Sequence, residues 1–288
     1  MGDLSPADRL FVSDLDGTLL LPDKTLGPRT RLAIERLARA GGWFTVATGR
    51  GAGATAAALG GLRLPLDGIL HNGALAADLS TGAISWTAAL EGPVAGELFR
   101  RACAHQMTPV AYALPAGATR AGQTVLFHGP GPINRPTRRY LESVRAHHRF
   151  QVDDGSRLGG GSMLSMILLD DPDRVGSFIT TECAPLTDVR AYPSVSAYTP
   201  GLAVGEVTAA AASKASAAAQ IAQSLGLGLE SVVAFGDNLN DLPLLEAAGW
   251  AFCPPDAPVA VLQRVAGRIG STAEEGVAAY LEQWLEDR

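Results

Sequence analysis

Leu10-Phe11-Val12-Ser13-Asp14-Leu15-Asp16-Gly17-Thr18 decides how the rest of the chain is read: a short apolar run stops abruptly at two aspartates one residue apart, followed by Gly-Thr. A brief, continuously apolar segment predicts a strand buried on both faces. Outward from it, residues 29–40 place Leu32, Ile34, Leu37 and Ala38 at near-helical spacing, and Gly41-Gly42 supplies a stop. Residues 43–47 predict a second buried strand and Gly68-Ile69-Leu70 a third, which ends in an Asn72-Gly73 turn. Strand, helix, strand in this order implies a parallel sheet with right-handed crossovers, an α/β fold.

Beyond Asn72-Gly73 the texture changes. Residues 74–77 and 83–86 flank Asp78-Leu79-Ser80-Thr81-Gly82 as a predicted hairpin. Helical patterns at 93–105 and 136–148, with strand-like runs at 110–114, 124–128 and 163–169, predict an α+β insert with its own core; Gly159-Gly160-Gly161 reads as a mobile loop. From Ser213 the first texture returns. Residues 214–225 are Ala-rich and helical, 231–235 form a buried strand closed by Gly236-Asp237-Asn238, 242–248 read as a helix, and 274–285 as an amphipathic helix with Val277, Tyr280, Leu281 and Trp284 on one face. The expected division is a discontinuous core, 1–81 with 197–288, interrupted by an insert at 82–196.

Composition narrows the function classes. A chain of 288 residues, 47% hydrophobic and 18% charged, can bury at least one sizeable core, which excludes a disordered tail or a disulfide-stapled scaffold. Lys plus Arg number 23 against 29 Asp plus Glu, a net charge of -6, so the overall field repels nucleic acid and anionic membrane, and neither is an expected partner. Cys103, Cys183 and Cys253 lie too far apart to clip a zinc ion locally, and their odd count suits a reducing compartment. No stretch approaches the roughly 18 consecutive apolar residues that a spanning helix requires. The opening residues, with Asp3, Asp8 and Arg9, lack a secretory signal pattern. The expectation is a cytoplasmic protein.

Ligands on open parallel sheets sit outside the carboxyl ends of the strands. The predicted strands set Asp14, Asp16, Thr48 and Asp237 there. With Asp241 this gathers carboxylates in one crevice, which is unfavourable unless a hard divalent cation and a basic side chain offset the repulsion. Lys214, at the start of a helix in the same half, can supply the basic group.

In order, Asp14-Leu15-Asp16-Gly17-Thr18, Thr48-Gly49-Arg50, Lys214 and Gly236-Asp237-Asn238-Leu239-Asn240-Asp241 resemble the four motifs of the haloacid dehalogenase superfamily of phosphatases. The insert's place between the second and third motifs, together with Asn72-Gly73-Ala74 and Glu275-Gly276-Val277-Ala278, is similar to the Cof-type (IIB) subfamily. The resemblance implies a Rossmann-like parallel-sheet core with an inserted α+β cap domain. It also implies Mg2+-dependent hydrolysis of a small-molecule phosphate ester such as a sugar phosphate.

The resemblance further assigns roles. Asp14 is the nucleophile that forms an aspartyl-phosphate, and Asp16 protonates the leaving oxygen and later activates water. The Thr48 hydroxyl, the Gly49 amide and Asn240 hold the phosphate, while Lys214 neutralises the nucleophile and the phosphoryl oxygens. The Asp14 carboxylate, the Asp16 backbone carbonyl and Asp237 make the magnesium site, with Asp241 behind Asp237. Two departures stand out: Ala215 replaces the family's usual glycine after the lysine, and Phe252-Cys253-Pro254-Pro255-Asp256-Ala257 stands where Met-Gly-Asn-Ala is common. Cys253 is expected to be a small buried residue. Arg138, Arg145 and Arg149 are expected to share a solvated helical face. A phosphotransferase or mutase on the same core, and a non-catalytic sugar-phosphate-binding protein, stay open as alternatives.

Overall fold

The computed structural model describes residues 5–195 and 202–287. The chain divides into two compact units, one comprising residues up to Trp86 together with those from Ser213 onward, the other Thr87–Ala212. In chain order the first unit opens with β1 (Leu10–Ser13), α1 (Pro28–Arg39), β2 (Trp43–Val46), α2 (Ala52–Leu59), β3 (Gly68–Leu70), β4 (Leu75–Ala77) and β5 (Ile84–Thr87). The second unit follows with β6 (Leu90–Glu91), α3 (Gly92–Ala104), β7 (Val110–Pro115), β8 (Val125–His128), α4 (Arg135–Val144), β9 (Arg149–Val152), β10 (Gly161–Asp170), α5 (Pro172–Phe178), β11 (Val189–Val195) and β12 (Ala203–Ala209). The chain then resumes the first unit with α6 (Lys214–Ser224), β13 (Val232–Phe235), α7 (Leu242–Ala247), β14 (Trp250–Cys253), α8 (Val259–Leu262), β15 (Gly267–Arg268) and α9 (Gly276–Glu286).

The first unit is built on a five-stranded sheet in the order β15-β14-β13-β1-β2, every pairing parallel. Successive side chains on a strand face opposite ways, and here the two faces bury separate sets. Phe11, Phe44, Val46, Val233 and Phe235 pack with Ile34 and Leu37 of α1 and with Leu281 and Trp284 of α9. Leu10, Val12, Val232 and Ala234 pack with Ala217 and Ile221 of α6, Leu244 and Leu245 of α7 and Val261 of α8. Helices on both faces explain why β1 and β13 are apolar throughout rather than alternating. The strand ends that carry Asp14, Thr48 and Asp237 therefore leave a rigid three-layer core.

The second unit holds a seven-stranded sheet, β11-β12-β10-β7-β8-β9 with β6 beside β10, antiparallel except for the parallel β8–β9 pair. Three expectations change here. The boundary expected between 196 and 197 lies outside the described residues, yet β12 pairs from Ala203 to Asp170 through Val207 to Met166, so this later strand belongs to the insert's sheet. Gly159 and Gly160 lie in a short 3-10 turn packed on α3, where a Cβ on Gly92 would stand 2.5 Å from the Gly159 carbonyl oxygen; Gly161 begins β10, so these glycines serve close packing rather than a mobile loop. The helix expected to 148 ends at Val144, and Arg149 starts β9, so Arg138, Arg145 and Arg149 do not share a helical face. Among the described residues no helix is long and apolar enough to cross a membrane.

Candidate active site

Asp14 is the residue immediately after β1, with its amide donating to the Phe235 carbonyl at 2.9 Å in continuation of the sheet. The chain then turns through residues 15–19 and closes with the Leu20 amide on the Leu15 carbonyl at 2.9 Å. Gly17 makes this turn possible: its φ is +89°, and a Cβ there would strike the Asp237 carboxylate. The turn separates the two aspartates. Asp14 is buried, whereas the half-buried Asp16 carboxylate accepts two hydrogen bonds from Arg50, at 2.6 and 2.7 Å, and pairs with exposed Lys24 at 3.2 Å. Burial alone would raise the Asp16 pKa, but the hydrogen bonds and charge of Arg50, with Lys24, prevail and hold it below the ordinary value.

Lys214 opens α6, whose first turn is fixed by Ser213: the Ser213 hydroxyl accepts from the Ser216 amide at 2.9 Å. The lysine is wholly buried and reaches two carboxylates, Asp14 at 2.5 Å and Asp241 at 2.6 Å. Burial opposes its charge, but Asp14 and Asp241 outweigh that and raise its pKa, so it stays an ammonium. Ala215, the departure next to it, sits within the helix and leaves this geometry intact. The second oxygen of Asp241 accepts the Asp237 and Asn238 amides at 3.0 and 2.9 Å, which shapes the loop after β13. Asp237 accepts from the Thr18 hydroxyl at 2.8 Å.

Asp14, Asp237 and Asp241 each offer an oxygen within 4.8 Å of the others. All three present only hard carboxylate oxygens, a donor set suited to magnesium or calcium and unsuited to softer metals. Burial and the neighbouring carboxylates push the Asp14 pKa up against the pull of Lys214, and burial with the Asp241 charge pushes Asp237 up to about 6. A divalent cation would relieve that crowding, so the residues fit one. The Asp16 carboxylate is not among the three, because Arg50 and Lys24 engage it.

Thr48 is buried; its carbonyl accepts the Asn72 amide at 2.9 Å and its hydroxyl accepts the Arg50 amide at 3.1 Å. Exposed Gly49 faces the Asn72 carboxamide, and Asn240 donates to Asn72 Oδ1 at 3.0 Å. The structure thus gathers Asp14, Asp237, Asp241 and Lys214 in one cluster, sets Thr48, Gly49 and Asn240 around Asn72, and turns the Asp16 side chain to Arg50. Lys24, Thr18 and Asn72 were not among the expected site residues. Their contacts span 8, 219 and 168 positions respectively; Thr18, inside the first motif, and Asn72, inside the Asn72-Gly73-Ala74 stretch, stood in a sequence signal, and Lys24 did not. Cys253 is fully buried, as expected, and burial raises its thiol pKa.

Known proteins similar to this chain identify its family. An HMP-PP phosphatase of Cronobacter sakazakii is 29% identical over 284 residues, covering 96% of each chain. One from Klebsiella pneumoniae is 28% identical over 283 residues, covering 97% of this chain and 96% of that one. An X-ray structure from Thermotoga maritima shares the fold with a TM-score of 0.74 at 22% identity, covering 96% of this chain and 97% of that one. A protein described as a HAD subclass IIB sugar phosphatase superposes with a TM-score of 0.76 at 16% identity, covering 96% and 98%. The model of the haloacid dehalogenase-like hydrolases matches residues 11–281, nearly the full length and a span that contains the four motif segments, and the chain belongs to that family.

Proposed function

We propose that this hydrolase removes a phosphoryl group from a small phosphorylated metabolite, with magnesium, through an aspartyl-phosphate on Asp14. The observation that carries the reading is the Lys214 ammonium held between Asp14 and Asp241 at the end of β1. A buried lysine there stabilises a nucleophilic carboxylate and, as charge moves onto the phosphoryl oxygens, stabilises them too. Magnesium, held by Asp14 and Asp237 with the Asp16 backbone carbonyl, would supply charge stabilisation to the phosphoryl group.

The protein's own residues perform the rest. An Asp14 oxygen attacks phosphorus as the bond to the leaving oxygen breaks, and Asp16 delivers the proton that the leaving oxygen needs. Water then attacks the acyl phosphate, gives its proton to Asp16, and restores the Asp14 carboxylate with release of phosphate. In the free protein Asp16 is held ionised by Arg50, the form that accepts a proton. Arg50 has the forked geometry for which phosphoryl oxygens compete, and Asp16, once released from it, can take up the proton that it donates in the first step. Thr48, Gly49 and Asn240 supply hydrogen-bond donors to the phosphate.

Phosphate release measured over a panel that includes HMP-PP, the substrate named for the relatives, and sugar phosphates tests the reading, with and without magnesium. Magnesium-dependent release from at least one member is expected. Transfer of the phosphoryl group to a second hydroxyl without phosphate release would replace hydrolysis by phosphotransfer, and tight binding without turnover would leave a binding protein.

A further inference from the structure

His71, Asn72 and Gly73 follow one another with φ values of +48°, +53° and +93°. A left-handed backbone is unfavourable for residues that carry a Cβ, least so for asparagine, and such an arch persists only where its surroundings hold it. The contacts that hold this one run to the loops of three motifs. The His71 amide donates to the Arg50 carbonyl at 3.2 Å, and the Asn72 amide to the Thr48 carbonyl at 2.9 Å. Gly73 lies against the segment that begins α6: a Cβ there would collide with the Ser213 carbonyl and stand 2.8 Å from the Lys214 backbone nitrogen. The Asn72 side chain completes the set, with Oδ1 accepting from Asn240 Nδ2 at 3.0 Å and Nδ2 standing 3.2 Å from where a Gly49 Cβ would be.

We propose that Asn72 is a positioning residue for phosphate binding. Its backbone ties the Thr48 loop, and its carboxamide holds the Asn240 amide beside Gly49 so that both present N–H groups to one phosphoryl group. A primary amide has two N–H donors. With one of them on Asn72, Asn240 keeps the other for the ligand in a fixed orientation. The proposal rests on the phosphatase reading in taking Gly49 and Asn240 as phosphate donors.

The test is a double-mutant cycle between Asn72→Gly and Asn240→Ala, because glycine keeps the left-handed backbone while removing the carboxamide. Inorganic phosphate affinity is measured by calorimetry in the presence of magnesium, and kcat and KM with p-nitrophenyl phosphate. Asn72→Gly is expected to weaken phosphate binding about tenfold, the worth of one hydrogen bond that serves a charged ligand, with the kinetic loss falling on KM more than on kcat. The double variant is expected to bind phosphate no worse than Asn240→Ala alone. Losses that multiply in the double variant, or unchanged phosphate affinity in Asn72→Gly, would overturn the proposal. A lowered unfolding midpoint with unchanged KM would make Asn72 a fold brace and would overturn it too. Should Asn72→Gly fail to fold, Asn72→Ser gives the same cycle. A wild-type protein that binds phosphate but releases none from any ester sinks the phosphatase reading alone, since the calorimetric cycle is read without turnover.

Discussion

Replacing Asp14 by asparagine keeps the side chain's shape and removes its charge and nucleophilicity, so the two functions of this carboxylate separate from its packing. Lys214 retains Asp241 as a partner in that variant. Asp14→Asn is therefore expected to fold with an unfolding midpoint close to that of the parent and to lose phosphate release by about a thousandfold or more, the scale at which loss of a covalent nucleophile acts; turnover above a few per cent of the parent would exclude the aspartyl-phosphate. Lys214→Met goes the other way. It removes the only cation that touches both Asp14 and Asp241 among the described residues and leaves buried carboxylates uncompensated. A loss of about 3–5 kcal/mol is expected from breaking such a pair, read as a lower denaturation midpoint, with part of it recovered by added magnesium. A variant as stable as the parent without metal would mean that the carboxylates are not charged together. At this scale the layout of the candidate site was legible in sequence wherever it is local: Asp14, Asp16 and Gly17 occupy one turn. The pairing of Asp16 with Lys24 and Arg50 was not, because which cation reaches a carboxylate is decided by loop geometry and not by residue type.

Elements with a strong apolar pattern were readable, and those without one were not. β1 and β13 are buried at every position and announce themselves. α2, Ala52–Leu59, is alanine, glycine and threonine up to its closing leucine, with little contrast between faces, and at eight residues it depends on the tertiary packing of Thr55, Ala58 and Leu59. β9 is an edge strand with three of its four residues exposed, and β12 contains Gly205, so neither carries a buried-strand signature. Glu275 shows how a motif can be visible before its cause is. It sits at φ +52° ahead of α9 and its carboxylate accepts the Thr30 amide at 2.7 Å and the Thr30 hydroxyl at 2.8 Å, capping α1 where Gly27 has no side chain to do so. Glu275→Ala is expected to lower stability by about 1–2 kcal/mol, the worth of a helix cap, while KM stays at the parent value; an unchanged denaturation midpoint would show that the cap contributes nothing. In the second unit, His148 meets the Tyr112 ring edge-on at 5.2 Å, and burial, with the nearby His147, holds its pKa down to about 4. Its unfolded form takes up a proton near pH 6.5 and its folded form only near 4, so the contribution of this group to stability is complete above 6.5 and is lost as pH falls through that window. His148→Phe is expected to flatten the loss of stability between pH 6.5 and 4, followed by unfolding midpoints; an identical pH profile would remove His148 as the cause.

At the scale of the molecule, the division of labour follows from where the chemistry lies. Every side chain assigned to phosphoryl transfer, from Asp14 to Asp241, belongs to the discontinuous first unit, and the insert contributes none of them. Substrate selection is then expected to depend on the insert, because contacts remote from the reacting phosphate are what distinguish one ester from another. Where the insert is cut decides whether the experiment is fair. A cut at 82 and 196 would leave β12 attached to the core without its partners β10 and β11, an unpaired strand that invites aggregation. Joining Trp86 to Ser213 through a short linker removes the whole second sheet and keeps α6 with its Ser213 cap and Lys214. That variant, once circular dichroism and a cooperative unfolding transition show it folded, is expected to retain slow magnesium-dependent hydrolysis of p-nitrophenyl phosphate and to hydrolyse different phosphorylated metabolites at nearly equal rates. If a well-folded core without the insert ranked its substrates as the full chain does, specificity would reside in the core's own loops, such as the Lys24 turn and the segment after Arg50, and the insert would need another role.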